Sequence, residues 1–305
     1  MLTFFTTPKP FEGHIGVIQR NTLRSWTLLH PEAEVILFGD EPGAAEVARE
    51  LGIRHEPEVR RNEHGTKYLD CIFHRAQEMA RHDLLCYANC DILLMSDFCK
   101  TVERMASVQR PFLMIGRRWD LDVQEPWDFA RPDREAQLRA CVLRAGRRRP
   151  AQWIDYFVFT RGLYKGGIPS FVVGRPGWDN WLVWHARAAK ARVVDASSVV
   201  LAVHQNHDYS YHPQGQAGVW HGQEAQRNYD LLDRGRDYAT IENATHRLTP
   251  HGMRRNYRHW LVLATRRARA AASPAWFALL RLTRPLRHRL GLRPERIAPL
   301  FAKNR

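Results

Sequence analysis

The sequence predicts an α/β fold: a mostly parallel sheet flanked by helices, followed by a basic helical tail. Three observations carry this expectation. Apolar runs such as Leu84–Ala88 lack polar alternation, as strands do when both faces are covered. Over the first 95 residues these runs alternate with stretches of helical periodicity, the pattern of a parallel sheet. The charge also divides sharply: residues 1–250 carry 32 basic and 31 acidic side chains, whereas 251–305 carry 14 basic and one acidic, Glu295. The expected organisation is therefore a domain over 1–250 and a basic amphipathic extension over 251–305.

Taken in order, Leu2–Thr6 reads as a strand and Ile15–His30 as a helix with Ile18, Leu23, Trp26 and Leu29 toward one face. Glu34–Phe38 is a second strand closed by Gly39-Asp40, and Gly43–Leu51 a short helix. Ile53–Pro57 is a short strand and Tyr68–Arg81 a helix carrying Leu69, Ile72, Phe73, Ala76 and Met79. Leu84–Ala88, Pro111–Gly116, Ile154–Thr160, Arg192–Asp195 and Val199–Val203 are further strands. Asp97–Ala106, Arg134–Ala145 and Trp178–Ala189 are helices, the last entered through the turn Gly174-Arg175-Pro176-Gly177. The tract from Gln205 to about Gly235, rich in His, Tyr, Gln and Gly, reads as a long ordered loop or lid. No internal repeat is visible.

Composition excludes several classes. With 44% hydrophobic residues in 305, the chain can bury a core and is not disordered. No apolar run approaches the ~18 residues that span a bilayer. The N-terminal stretch has no basic n-region, so no secretory signal is expected. Five cysteines, an odd number, suit reduced thiols in the cytoplasm. Cys86-x3-Cys90 and Cys71-x2-His74 lack the second half of a zinc site and read as structural thiols. Arg outnumbers Lys by 40 to 6, which suits phosphate contacts and equally reflects a GC-rich coding bias.

The sharpest local feature is Tyr87-Ala88-Asn89-Cys90-Asp91, an apolar strand running into Asn-x-Asp. Ligands of open α/β sheets collect at such strand ends, and oxygens placed there can hold a divalent cation. A strand-end Asx turn accounts for the same residues. His204 follows the strand Val199–Val203, where an imidazole can ligate metal or donate to phosphate. Asp179 opens the helix after Gly177, as a site carboxylate or simply as a first-turn acid favoured by the helix dipole. Lys67, ahead of its helix, can touch phosphate or stand as an exposed lysine. The His and aromatic tract from His204 to Trp220 fits no compact zinc set. It reads as an acceptor-binding loop or as packing.

Together these pieces resemble the GT-A class of nucleotide-sugar glycosyltransferases over roughly residues 1–250. Thr6-Thr7-Pro8 is similar to the segment that opens the nucleotide pocket there. Asn89-Cys90-Asp91 resembles the Asp-x-Asp metal motif, departing from it at Asn89. The strand from Ile154 through Asp155 and Tyr156 is similar to the one lining the donor sugar, and Gly177-Trp178-Asp179-Asn180 resembles the later acidic motif. The resemblance implies a GT-A-like fold and transfer of a sugar from a nucleoside-diphosphate donor to a hydroxyl of a glycan or lipid-linked acceptor. It implies Asp91 and His204 as ligands of Mn²⁺ or Mg²⁺, Asp179 as base with Asp155 as second candidate, and Thr6, Thr7, Asn89, Lys67 and Tyr156 as donor contacts.

The extension mixes Trp260, Trp276, Phe277 and several Leu with Arg, the composition of an interfacial helix on anionic lipid. An enzyme of the cytoplasm, peripheral on the inner membrane face through residues 253–305, is the corresponding expectation. A solvated extension accounts for the same composition, and without a stacking platform nucleic acid ranks behind both. The alternatives in function are a nucleotidyltransferase of sugar-nucleotide synthesis, which Thr6-Thr7-Pro8-Lys9-Pro10 does not favour for want of a Gly-rich loop, and a non-catalytic basic scaffold.

Overall fold

The computed structural model describes residues 1–233, 235–257 and 282. The chain divides into two compact units, Met1–Asn256 and Tyr257–Arg305. The amphipathic helices expected in the extension lie almost wholly outside the described residues.

The first unit runs β1 (Thr3–Thr6), α1 (Gly13–Thr27), β2 (Glu34–Phe38), α2 (Ala44–Leu51), β3 (Arg54–Glu56), α3 (Leu69–Met79), β4 (Leu84–Ala88), β5 (Ile92–Leu93) and α4 (Ser96–Ala106). It continues with β6 (Phe112–Ile115), β7 (Arg118–Leu121), α5 (Arg134–Ala145), β8 (Arg147–Arg148), β9 (Tyr156–Thr160), α6 (Trp178–Ala188), β10 (Arg192–Asp195) and β11 (Ala202–Gln205). Helices α7 (Gly215–His221) and α8 (Gln223–Leu231) precede the hairpin β12 (His246–Thr249) and β13 (Gly252–Arg255). That hairpin carries the main sheet across position 250.

The main sheet has nine strands in the order β13-β12-β10-β6-β9-β4-β1-β2-β3. It is mostly parallel, as predicted: β1 pairs in parallel with β2 and β4, β2 with β3, and β10 with β6 and β12. Strand β9 is antiparallel to both β4 and β6, and the edge strand β13 is antiparallel to β12. Strand order reverses at β1, with β2 and β3 on one side and β4 on the other, and such a switch point opens a crevice at the strand ends.

Both faces are covered, which accounts for the unbroken apolar runs. On one face Phe5, Tyr87, Phe157 and Phe159 meet α3 and α6 through Leu69, Phe73, Trp178 and Leu182. On the other, Phe4, Cys86, Tyr156 and Val158 meet α1, α2 and α4 through Trp26, Val47 and Phe98. Phe73 is the hub of the first face, with its ring 4.9 Å from Phe5, 5.3 Å from Tyr87, and 5.6 Å from both Phe159 and Tyr164.

A second sheet, β5-β11-β7-β8, packs with α5 around Leu93, Leu121, Leu138, Val142 and Val203. The sequence offers little sign of it, because its strands span two to four residues. The expected strand Val199–Val203 is displaced to Ala202–Gln205, so His204 lies inside a strand and not beyond one. Buried Gln205 is the reason for the shift: its amide donates to Ile18 O at 2.8 Å and Thr22 Oγ1 at 3.0 Å, and its oxygen accepts from Asn21 Nδ2 at 3.1 Å. A polar side chain that buried needs such partners, and α1 supplies them. The tract after Gln205 is a loop to Gln214, followed by α7 and α8.

Replacing Phe73 with Ala removes the ring that these four aromatic neighbours share. The expected loss is about 3–5 kcal/mol, measured by urea denaturation of the full chain.

Candidate functional site

The crevice at the switch point is a cleft of about 1660 Å³. Its walls come from the segment after β1 (Thr7, Pro8, Lys9), the β4–β5 turn (Asn89, Cys90, Asp91), the start of β9 (Asp155), the start of α6 (Asp179), β11 (His204) and the loop beyond it (His207, Tyr209, Tyr211). Of the nine residues singled out in the sequence, Thr7, Lys67, Asn89, Asp91, Asp155, Asp179 and His204 line this one cleft. Thr6 and Tyr156 do not: Thr6 is buried in β1, and Tyr156 points into the core with its ring 5.9 Å from Phe98.

Asn89 and Asp91 do not project together, because a tight turn separates them, closed by Ile92 N donating to Asn89 O at 3.1 Å. The Asn89 side chain turns to Asp155: its Nδ2 donates to Asp155 Oδ1 at 2.8 Å, while Asn89 N donates to Asp155 O at 3.0 Å. The reversed direction of β9 makes this possible by bringing its first residues beside the last residue of β4. Asp155 Oδ1 also accepts from Arg118 at 2.8 Å, and Arg118 donates to Asp120 at 2.9 Å. The other oxygen, Asp155 Oδ2, is buried without a hydrogen-bond partner among the described residues.

Asp91 faces two histidines. Its Oδ2 lies 3.8 Å from His204 Nε2 and 3.3 Å from His207 Nε2, and the candidate ligand atoms of all three side chains fall within 4.8 Å of one another. Asp91 Oδ1 is buried and has no hydrogen-bond partner among the described residues. Burial pushes the Asp91 carboxyl up, but His204, His207 and Lys9 outweigh it and hold it well below the usual carboxylate range. Burial lowers His204 to about 4 despite Asp91 beside it. The imidazole is thus neutral at pH 7, which leaves His207 and Lys9 as the partners that hold the Asp91 carboxyl down. An ionised carboxylate with an unpartnered oxygen, beside a neutral imidazole, is a donor set that fits a divalent ion.

Lys9 is held by its backbone, N to Gln19 Oε1 at 2.7 Å and O from Gln19 Nε2 at 2.9 Å. Its ammonium lies 3.1 Å from His207 Nε2 and 4.4 Å from the Tyr211 ring centroid, and burial lowers its pKa. Lys67 reaches Thr7 Oγ1, Pro8 O at 3.0 Å and the Glu41 carboxylate. Burial brings it down to about 8, against the pull of Glu41. Gly39, at φ +118°, makes this arrangement possible, since a Cβ there would stand 2.7 Å from Lys67 Nζ. Asp179 caps its own turn, accepting from Gly177 N at 3.2 Å, and burial raises it to about 7.

Lys9, His207, Glu41 and Arg118 escaped the sequence reading as site residues. Lys9 follows directly on the first strand, which is where a switch-point lysine would stand, and His207 sits three residues beyond His204. No motif marks Arg118, which pairs with Asp120 two residues on and with Asp155 much further along the chain.

No protein-family model and no curated protein matches this sequence. Its structure is similar to the mannosyltransferase PcManGT from Pyrobaculum calidifontis in complex with GDP-Man and Mn²⁺: TM-score 0.44, 14% identity, 70% of this chain and 59% of that one. It is similar to glucosyl-3-phosphoglycerate synthase from Mycobacterium tuberculosis in complex with Mn²⁺, UDP and phosphoglyceric acid: TM-score 0.43, 14% identity, 77% and 78%. It is also similar to S. aureus TarS 1-349 in complex with UDP-GlcNAc: TM-score 0.46, 10% identity, 68% and 58%. The match thus spans less than two thirds of the mannosyltransferase and TarS chains.

Arg118 is the buried counter-ion of Asp120 and Asp155. Removing it by Arg118→Ala leaves buried Asp155 without its cation, while Asp120 keeps Arg149 at 2.8 Å; the loss should be about 3–5 kcal/mol, read by urea denaturation at pH 7.

Proposed function

We propose that this chain transfers a sugar from a nucleoside-diphosphate donor to a hydroxyl acceptor. One observation carries the proposal: an ionised carboxylate with histidines beside it and a separate carboxylate poised near neutral pH line a single cleft at a switch point. Asp91 and His204 would hold Mn²⁺ or Mg²⁺, and a divalent ion bound there supplies positive charge for a departing diphosphate. Lys9 and Lys67 bring two further cationic side chains to the same cleft. Thr7 and Asn89 complete the wall on the donor side.

Asp179 is the base that accepts the acceptor's proton. A pKa near 7 leaves it ionised often enough to act and basic enough to take a proton. Asp155, with one oxygen committed to Asn89 and Arg118 and the other unpartnered among the described residues, suits a positioning hydrogen bond to the donor sugar. Trp153, Tyr209, Tyr211 and Trp220 line the cleft and offer ring faces to a glycan or a lipid-linked acceptor. The enzyme acts at the cytoplasmic face, with residues 253–305 resting on an anionic membrane surface and not on nucleic acid. The concentration of Arg, Trp and Leu there supports this. Among the described residues no helix is long and apolar enough to cross a membrane.

Turnover of UDP, GDP and CDP sugars, with and without Mn²⁺, tests the proposal directly. Asp91→Ala and Asp179→Asn should each lower turnover by about 10²-fold or more, and full turnover in both variants would sink it. Because Asp179 works ionised, kcat/KM should fall by one proton as pH drops through about 7. Its raised pKa has the opposite effect on folding. The folded chain holds this proton more tightly, so stability from this group is present below its ordinary range and is lost as pH rises through 7. Asp179→Asn should therefore raise the melting temperature at pH 8 and give no gain at pH 4. Vesicle sedimentation compares the full chain with a truncation after Asn256, and equal binding to anionic vesicles would remove the extension as the anchor.

A further inference from the structure

His207 is oriented through its second nitrogen, with Nδ1 2.6 Å from Asp208 O. His204 Nδ1 lies 3.5 Å from Asp120 Oδ1 and makes no hydrogen bond among the described residues. With the proton of His207 on Nδ1 facing the carbonyl, its Nε2 is left bare. Nε2 of both rings faces Asp91 Oδ2, at 3.8 Å for His204 and 3.3 Å for His207. Ligands held about 2.1 Å from one ion lie about 3–3.5 Å apart, close to these spacings. Lys9 Nζ stands 3.1 Å from His207 Nε2, as an ammonium does beside an unprotonated acceptor, so this cation already marks the position. Asn89, by contrast, has committed its amide nitrogen to Asp155.

We propose that His207 takes the ligand position that Asn89 has left, giving a centre of one carboxylate and two imidazoles that holds a transition-metal dication such as Mn²⁺ in preference to Mg²⁺, and holds it before any nucleotide binds. The proposal rests on the sugar-transfer reading for the purpose of the ion and on this chain's own residues for its ligands. Mg²⁺ seeks oxygen ligands and keeps its water, whereas two imidazoles favour a softer ion. Three protein ligands hold an ion without help from a diphosphate. An ion seated there displaces the Lys9 ammonium from His207 and leaves it for the phosphates in the same cleft.

The test uses the full chain without nucleotide and follows bound Mn²⁺ by electron paramagnetic resonance, with Mg²⁺ as competitor. Wild type should bind Mn²⁺ and resist displacement by a large excess of Mg²⁺. His207→Ala should bind Mn²⁺ more weakly by at least about tenfold, with its fold checked by circular dichroism. His207→Asp, which returns a ligand in oxygen form, should recover Mn²⁺ binding and let Mg²⁺ compete. Unchanged Mn²⁺ affinity in His207→Ala, or displacement from wild type by equimolar Mg²⁺, overturns the inference. Sugar turnover in the same variants separates the two ideas. Binding lost in Asp91→Ala but kept in His207→Ala, with turnover intact, overturns the His207 assignment alone. Ordered Mn²⁺ binding with no turnover of any nucleotide sugar upholds the centre and removes the transfer reading.

Discussion

The floor of the cleft is an electrostatic problem before it is a catalytic one. Asp91, Asp120 and Asp155 are each at most 8% exposed, and such a concentration of negative charge cannot remain folded unless cations are buried with it. Arg118 answers for two of the three, with Asp120 and Asp155 in its fork and Arg149 also 2.8 Å from Asp120, and Lys9 together with His207 answers for Asp91. Arg118 in turn lies 4.9 Å from the Trp153 ring, so the charge network and the aromatic wall are one assembly. The neutral state of His204, by contrast, follows from its own burial, which the neighbouring Asp91 opposes.

Two sheets must meet for this to happen. The main sheet delivers Asp155 and the β4–β5 turn, while the small sheet delivers Asp120 and His204 on adjacent parallel strands, where the two residues are paired in register. The seam is fastened to α1 by Gln205 and by Trp26, whose Nε1 donates to Ile92 O at 3.0 Å. Helix α1, which contributes Ile15, Ile18 and Gln19 to the cleft wall, therefore sets the distance between the two halves of the site.

The large sheet was legible in the sequence because its strands are covered on both sides. An unbroken apolar run as short as Leu84–Ala88 is stable only where neither face meets water. The small sheet was hidden: β5, β7 and β8 are short, and Arg118-Trp119-Asp120-Leu121 carries charges that a strand seldom buries. Asn89 shows where local geometry misleads. Two residues apart on extended chain would share a face, but the turn at Cys90 sends the two side chains to different partners. Tyr156 shows the complementary limit. The period of a strand tells which residues alternate, yet only the packed neighbours decide which set faces ligand. His207 and Lys9 depend on contacts across 198 positions of sequence, and no local pattern contains that information.

Strand β9 runs against its neighbours, so the residues it offers to the cleft are those it starts with. A chain entering the sheet at the ligand side has its first side chain fixed by whatever precedes the first ladder bond, not by the strand's own length. Asp155 stands at that threshold, outside the ladder that begins at Tyr156. A change there alters chemistry without disturbing pairing, whereas one residue inserted or lost in the approach would exchange Asp155 for a neighbour and leave the sheet intact. Specificity at the threshold of β9 is therefore tied to the buried charge network, since a change at Asp155 strips Arg118 and Asn89 of their shared partner.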